Sequence, residues 1–189
     1  SNYTKKLLIK AGPTADKGEE INRSTSSTSP TLAYLRLGIQ LIGLTFKRVN
    51  EENYILQSLF LENGGPKSGY LLKPSWMCLK NPKNFYAKNF DLPLFTLAVK
   101  VVAGQNCIIN ELGKEKVIVE AFLRGNRKEE TANKHWTSAP QEPGYYVQFG
   151  LECQFTVFCL DLATLVLLVR GQQSQTILAG RAVPLRHLR

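Results

Sequence analysis

Methionine and histidine are scarce in this sequence, and long apolar runs are missing from it. The 189 residues include one methionine, Met77, and two histidines, His135 and His187. No apolar run approaches the ~18 residues that a membrane-spanning helix needs, and the first residues lack the basic-then-apolar layout of a secretory signal. We therefore expect a soluble or peripheral chain. Because it begins at Ser1, we also expect it to be processed or taken from a longer protein.

Motifs for nucleophilic, nucleotide-binding or metal chemistry are also missing. The sequence has no GxSxG, Walker loop, GxGxxG or HExxH pattern. Neither histidine has a nucleophile or carboxylate at a recognisable spacing, so both are interpreted as surface or loop residues. The cysteines show no CxxC or Cys/His clustering of the kind that zinc sites use, and we expect them to be reduced, buried thiols of a cytoplasmic protein. They are Cys78, Cys107, Cys153 and Cys159.

The net charge of +9 is the strongest bias in the composition. A positive field attracts anionic membranes and nucleic acids alike, so the charge alone does not choose between these partners. The basic residues are scattered along the chain, and a solvated surface of mixed charge explains them equally well. No RNA-binding signature is present, which argues against nucleic acid.

The first part of the chain has the pattern of a strand, a helix and a second strand. Residues 38–46 are nearly all apolar, as in a strand that is buried on both faces of a parallel sheet. Residues 51–61 repeat apolar side chains about every 3.6 residues, and turn-forming Asn and Gly follow at 63–65. Residues 69–73 predict the second strand. This βαβ order suits a parallel sheet or a barrel.

The second part of the chain predicts a linker and an all-β domain. Residues 76–91 suit a linker, and the aromatic side chains in it, beginning with Trp76, are expected to hold it against the neighbouring domains. From residue 92 onwards, short strands alternate with turns and no helical periodicity is seen, which predicts an antiparallel sandwich. The candidate strands are residues 94–102, 117–123, 145–149, 152–158, 164–169 and 177–183, with a break at 103–106.

Several motifs occur in a fixed order. Those of the first part are Ser29-Pro30, Gly38-x-Gln40-Leu41-Ile42-Gly43-Leu44-x-Phe46, Phe60-x-x-Asn63-Gly64-Gly65 and Gly69-Tyr70-x-Leu72-Lys73-Pro74. This order resembles the closing segment of the Y half of the catalytic barrel in eukaryotic phosphoinositide-specific phospholipase C. Two departures are that Tyr34 stands at a Trp position of the family, and that Pro66-Lys67-Ser68 stands where one residue is usual.

The second part resembles the C2 domain that follows the barrel in the same enzymes. The matching pieces include Leu97-x-Val99-Lys100-Val101-Val102, Val117-Ile118-Val119-Glu120, Leu165-x-Leu167-x-Val169 and Val183-Pro184-Leu185. The resemblance implies an α/β barrel fragment, the closing βαβ of a TIM-type barrel, in residues 1–75. A linker would follow at 76–91. Residues 92–189 would form an all-β C2-type antiparallel sandwich whose last strand is missing.

The resemblance also implies an activity for the parent protein. It would hydrolyse phosphatidylinositol 4,5-bisphosphate to diacylglycerol and inositol trisphosphate during signal transduction, using two histidines and a catalytic Ca²⁺ in the X half of the barrel. That half is absent here, so it is an expected partner and this segment alone should be inactive. Lys10 falls where the family has a Tyr that helps to hold the inositol phosphate, which makes it a candidate substrate-binding residue or an ordinary surface lysine. An inactive phospholipase C-like scaffold that binds membrane or proteins is the alternative.

No Ca²⁺ is predicted for the C2-type part itself. Lys114 stands where the family has an Asp, and residues 170–173, with Arg170, correspond to an acidic loop but contain no carboxylate. These cations would attract an anionic phosphoinositide membrane directly, which predicts a peripheral membrane protein. A C2 domain that serves only to pack against the barrel explains the same residues equally well.

Overall fold

The computed structural model describes residues 10–11, 34–35, 37–39, 41–42, 49–61, 73–78, 92–107 and 115–188. In these ranges no helix is long and apolar enough to cross a membrane. The elements are β1 Lys10–Ala11, β2 Leu41–Ile42, α1 Glu51–Leu61, β3 Phe95–Cys107, β4 Val117–Arg124, α2 Arg127–Ala132, β5 Trp136–Thr137, β6 Gly144–Val157, β7 Thr164–Gly171 and β8 Ile177–Pro184, with 3₁₀ helices at Ser75–Cys78 and Leu185–His187.

The first part contains one short parallel pair of strands, and one member of it, β2, lies within the strand predicted at residues 38–46. β1 and β2 run parallel, with Lys10 opposite Leu41. α1 has the bounds that the apolar periodicity predicts, and Asn50 caps it, because its Oδ1 accepts the N–H of Asn53 at 3.0 Å. The turn and second strand predicted at residues 63–73 lie almost entirely outside the described residues. The closing βαβ unit of a barrel therefore stays a prediction.

An antiparallel sandwich forms the second part, as predicted. One sheet has the strand order β5-β4-β7-β8, and β3 pairs with β6 in the other. β6 buries alternate side chains, as expected for a strand with one face toward a core. The connection of residues 172–176 between β7 and β8 is called the β7–β8 turn below. The prediction of a sandwich is confirmed, whereas the predicted boundaries need two corrections.

Two predicted interruptions of strands are wrong. β3 continues through residues 103–106 after a register shift that follows Val101. The candidate strands at 145–149 and 152–158 belong to one strand, β6, in which Gly150 has a φ of +57°. Glycine reaches this left-handed conformation without a steric penalty. The residues that indicate turns at 103–106 and at Gly150 form local irregularities within the strands, because β3 and β6 pair along nearly their whole length.

α1 covers the outer face of the four-stranded sheet. Phe122 of β4 and Val166 and Leu168 of β7 lie on that face and are buried against Ile55 and Leu59 of α1. The opposite face of β4 packs on the inner side chains of β6. β4 is therefore buried on both sides, which explains its nearly continuous apolar sequence. The helix of the predicted barrel segment and the predicted sandwich share one hydrophobic core.

No periodicity predicts the short helix α2, which begins with a capping box. The Oδ1 of Asn126 accepts the N–H of Glu129, and Oε2 of Glu129 accepts the N–H of Asn126, both at 2.9 Å. Oε1 of Glu129 accepts the N–H groups of Phe158 at 2.9 Å and Cys159 at 2.5 Å. Burial is the largest influence on the pKa of Glu129 and raises it. This fully buried carboxyl group joins α2 to the end of β6.

The start of the predicted linker is fixed to the sandwich by Trp76. Its Nε1–H donates to Oδ2 of Asp161 at 3.0 Å, and the buried indole packs with Cys159 and Leu162. This contact confirms the expectation for Trp76. The other aromatic residues of the linker lie outside the described residues.

The cysteines are free thiols, but they are not all buried. Cys107, Cys153 and Cys159 are buried as predicted, whereas Cys78 is exposed. Cys78 is the last residue of the 3₁₀ helix Ser75–Cys78, and Trp76 is the buried residue of that helix. Burial raises the pKa of Cys159 to about 12, so this thiol stays protonated and unreactive at neutral pH.

Candidate functional site

Lys10, the residue predicted to bind substrate, lies exposed on β1. Its backbone neighbour across the parallel pair is Leu41. The structure places an exposed amine there, and within the described residues it brings no other predicted site residue to it. The role of Lys10 in holding an inositol phosphate stays a prediction.

A carboxylate from the segment before β4 holds the β7–β8 turn. Oε1 of Glu115 accepts the backbone N–H of Ser174 at 2.6 Å and also that of Gln173. The loop itself contains no carboxylate, as the sequence indicates, and Glu115 reaches it from a distant part of the chain.

The environment keeps the Glu115 carboxylate ionised. Its pKa is lowered first by the hydrogen bond from the backbone N–H of Ser174, and also by the Ser174 hydroxyl and the N–H of Gln173. Gly171 leaves the space that the carboxylate occupies, since a Cβ at that position would lie 2.6 Å from Oε2 of Glu115 and 2.6 Å from Oγ of Ser174. The ionised carboxylate of Glu115, the two backbone N–H donors and Gly171 thus lie together at the β7–β8 turn.

Arg170, one of the two cations predicted to stand where the family binds calcium, is engaged by the protein itself. Nε of Arg170 lies 2.7 Å from Oε2 of Glu120 in an ion pair, although the N–H is not directed at that oxygen. The Nη1 of Arg170 also donates to the carbonyl of Gln175 at 3.2 Å. Glu120 on the neighbouring strand therefore holds the side chain of Arg170, and the attraction of this residue to an anionic membrane stays a prediction. Lys114 lies outside the described residues.

Two exposed tyrosines lie at the same end of the sandwich as the Glu115 contact. Tyr145 and Tyr146 are 77% and 64% exposed at the start of β6. The two places are linked because Val117, two residues after Glu115, exchanges backbone hydrogen bonds of 2.8 Å with Gln141, just before β6. The sequence pattern assigns both tyrosines to the strand predicted at residues 145–149. Successive side chains of a strand point to opposite faces of the sheet, so two adjacent tyrosines cannot both face the core. The Tyr-Tyr pair could therefore have indicated an exposed aromatic side chain.

His135 has a carboxylate neighbour that its spacing in the sequence does not reveal. Its Nε2 lies 3.7 Å from Oε2 of Glu120, and its ring meets that of Phe122 edge-on, with centroids 4.4 Å apart. This distance is too long for a hydrogen bond, and His135 lies exposed in a loop, as predicted. Burial lowers the pKa of His135 and outweighs the opposing effect of Glu120. The side chain of His187 lies outside the described residues.

Comparisons with known proteins identify the fold. The chain is similar to the crystal structures of PLC21 from S. officinalis and from L. pealei, with TM-scores of 0.66 and 0.68 over 82% and 87% of this chain, each at 24% identity. Phosphoinositide phospholipase C 4 of Arabidopsis thaliana is 27% identical over 110 residues, or 57% of this chain. The chain resembles phosphoinositide phospholipase C. The resemblance that the motif order indicates is thereby confirmed.

The similarity to phospholipase C is partial. The chain spans 17% of the length of the Arabidopsis protein and 20% and 21% of the two crystallised chains. No protein-family model matches it. At 24% identity the two crystal structures show the fold alone. The activity and partners of a whole phospholipase C are therefore matters of proposal for this chain.

Proposed function

We propose that this chain is the C-terminal portion of a phosphoinositide phospholipase C, and that the parent protein hydrolyses phosphatidylinositol 4,5-bisphosphate. The observation that carries the proposal is the similarity to single phospholipase C chains over 82% and 87% of this sequence. The chain would supply the end of the barrel and a C2-type sandwich held together by α1. In the parent, the segment thus serves as a rigid support for a catalytic half that lies elsewhere.

Phosphodiester cleavage in the parent would use the X half of the barrel. A catalytic Ca²⁺ there would stabilise the developing negative charge, and histidines would act with it. The described residues of this chain contain no group of three or more His, Cys, Asp or Glu side chains that could hold a metal ion. Glu115 is bonded to backbone donors, and Oε1 of Glu142 lies 3.2 Å from Nζ of Lys116. We therefore assign no step of the reaction to residues of this chain.

We propose further that the sandwich contacts an anionic membrane at the end that carries Tyr145 and Tyr146. Tyrosine has an apolar ring and a polar tip, and it suits the interface between lipid and water. The chain's net charge of +9 adds a general attraction to anionic lipid. Localisation in the cytoplasm at the membrane surface would follow from this contact.

The test uses the full-length parent protein with vesicles that contain phosphatidylinositol 4,5-bisphosphate. We expect release of inositol phosphates that requires Ca²⁺, together with vesicle binding that the double variant Tyr145→Ser, Tyr146→Ser weakens. Val49→Ser is a matched control, because Val49 is an exposed apolar residue in the first part of the chain, and it should bind as the parent does. Binding without release would favour the inactive scaffold, and equal effects of both substitutions would reject the proposed contact face.

A further inference from the structure

The β7–β8 turn has the geometry of an anion-binding site. Two consecutive backbone N–H groups, those of Gln173 and Ser174, point at one oxygen of Glu115. Successive N–H groups that converge in a turn form a concave site for anions. The Ser174 hydroxyl also hydrogen-bonds to this carboxylate. The turn therefore already holds an anionic group, which the chain itself provides.

The space around this carboxylate suits a small oxyanion. A Cβ on Gly171 would come within 2.6 Å of Oε2 of Glu115, so the glycine opens room beside the donors. The backbone reaches the turn from a second side, because Gln172 N–H donates to the carbonyl of Lys116 at 2.8 Å. Lys116 places a positive charge beside the segment, and its amine lies 3.2 Å from Oε1 of Glu142.

We propose that the β7–β8 turn is a phosphate-binding site that Glu115 keeps closed. A phosphate group has more acceptor oxygens and more negative charge than a carboxylate, and charge-assisted hydrogen bonds are about twice as strong as neutral ones. Glu115 is tethered, however, and competes at an effective concentration on the order of millimolar or more. Binding is therefore weak until Glu115 is displaced or neutralised.

The ligand chemistry is a phosphate group, carried either by a lipid headgroup or by a small molecule in solution. A lipid surface offers a high local density of phosphate, which would help to displace a tethered competitor. This inference goes beyond the proposed phospholipase activity and does not depend on it, because it rests on the local geometry of the turn.

The experiment is a titration of the 189-residue chain with inorganic phosphate, followed by NMR at the amide resonances of Gln173 and Ser174. We expect both resonances of Glu115→Ala to shift and saturate, with an apparent Kd at least about tenfold lower than that of the unmodified chain, given the tethered competitor. Glu152→Ala removes the same charge from an exposed residue of β6 that pairs with Lys100 and exposes no donor of the turn, so it should behave like the unmodified chain.

Two results would overturn the inference. One is the absence of saturable shifts at Gln173 and Ser174 in Glu115→Ala, and the other is an equal gain in affinity for Glu152→Ala, which would reveal a general charge effect. If Glu115→Ala fails to fold, Glu115→Gln decides, because its neutral side chain should compete less than the carboxylate and bind phosphate more tightly than the unmodified chain. No gain with Glu115→Gln would reject the site.

A second arm distinguishes the two sources of phosphate. Glu115→Ala is mixed with vesicles of phosphatidylcholine alone or with added phosphatidylinositol 4,5-bisphosphate. Loss of the Gln173 and Ser174 signals of Glu115→Ala with the phosphoinositide, at a lipid concentration at which the unmodified chain keeps them, would support a lipid headgroup as ligand. A response to inorganic phosphate but not to these vesicles would support a soluble phosphate. No phospholipase reaction is involved, so failure here leaves the proposed hydrolysis by the parent protein untouched.

Discussion

Truncation of Ile55 tests whether α1 and the sandwich share a hydrophobic core. It is 1% exposed and lies between the helix and the outer face of the four-stranded sheet. The same interface contains an ion pair, with Nη2 of Arg124 3.2 Å from Oε1 of Glu51. Ile55→Ala removes three carbons, worth roughly 2.4 kcal/mol at ~0.8 kcal/mol per buried methylene. The cavity that remains adds to this, so we expect a loss of about 3 kcal/mol, within the usual ~2–5 kcal/mol for such substitutions.

Urea unfolding of the 189-residue chain, followed by tryptophan fluorescence, measures this loss. Leu61→Ala is the matched control, because Leu61 ends the same helix and is 39% exposed. We expect the control to lower the free energy of unfolding by clearly less than Ile55→Ala does, since 39% of the surface of Leu61 already contacts water in the folded chain. A loss below about 1 kcal/mol for Ile55→Ala would refute the shared core, because a buried isoleucine cannot be truncated at so small a cost.

Three further predictions concern single side chains. Glu129→Gln places an amide group among backbone N–H donors and should lower the free energy of unfolding by about 2–3 kcal/mol. Arg127→Gln, at an exposed position of the same helix, should leave this free energy unchanged. Equal midpoints of the two variants in thermal unfolding would contradict the prediction. Because the pKa of His135 is lowered in the folded chain, the folded state favours the neutral imidazole ring. Stability should therefore be complete above the ordinary pKa of histidine and fall as the pH drops through and below it, and an NMR titration midpoint above the ordinary range would be incompatible. Trp76→Phe loses the hydrogen bond to Asp161 and should cost about 1 kcal/mol in urea unfolding, and a variant as stable as the unmodified chain would show that this bond contributes nothing.

Local patterns predict most elements of this fold. The bounds of α1 follow from the spacing of its apolar residues and from the cap at Asn50, both of which are local. The strands of the sandwich follow from alternation and from apolar runs. Local turn signals mislead at Gly150 and at residues 103–106, because pairing between β3 and β6 outweighs them. The sequence therefore predicts the sandwich architecture correctly but misplaces some of its strand boundaries.

The candidate site depends on contacts that no local pattern contains. Glu115 and Ser174 are 59 positions apart, and their contact exists only because β4 and β7 pair side by side. His135 meets Glu120 for a similar reason, since β5 pairs with β4 at that residue. Residue type and spacing could not have revealed either contact. The structure also does not test Lys10, whose assignment rests on the motif order alone.

The covering of β4 by α1 has a consequence for synthesis of the protein on the ribosome. α1 ends at Leu61, whereas β8, the last strand of the sheet it covers, ends at Pro184. Roughly 120 residues separate these points, and at ~5–20 residues per second their synthesis takes roughly 6–24 s. An isolated helix of 11 residues is only marginally stable in water. The nascent chain must therefore hold the apolar residues of α1 without their final partner for many seconds, and docking of this early helix is among the last events of folding.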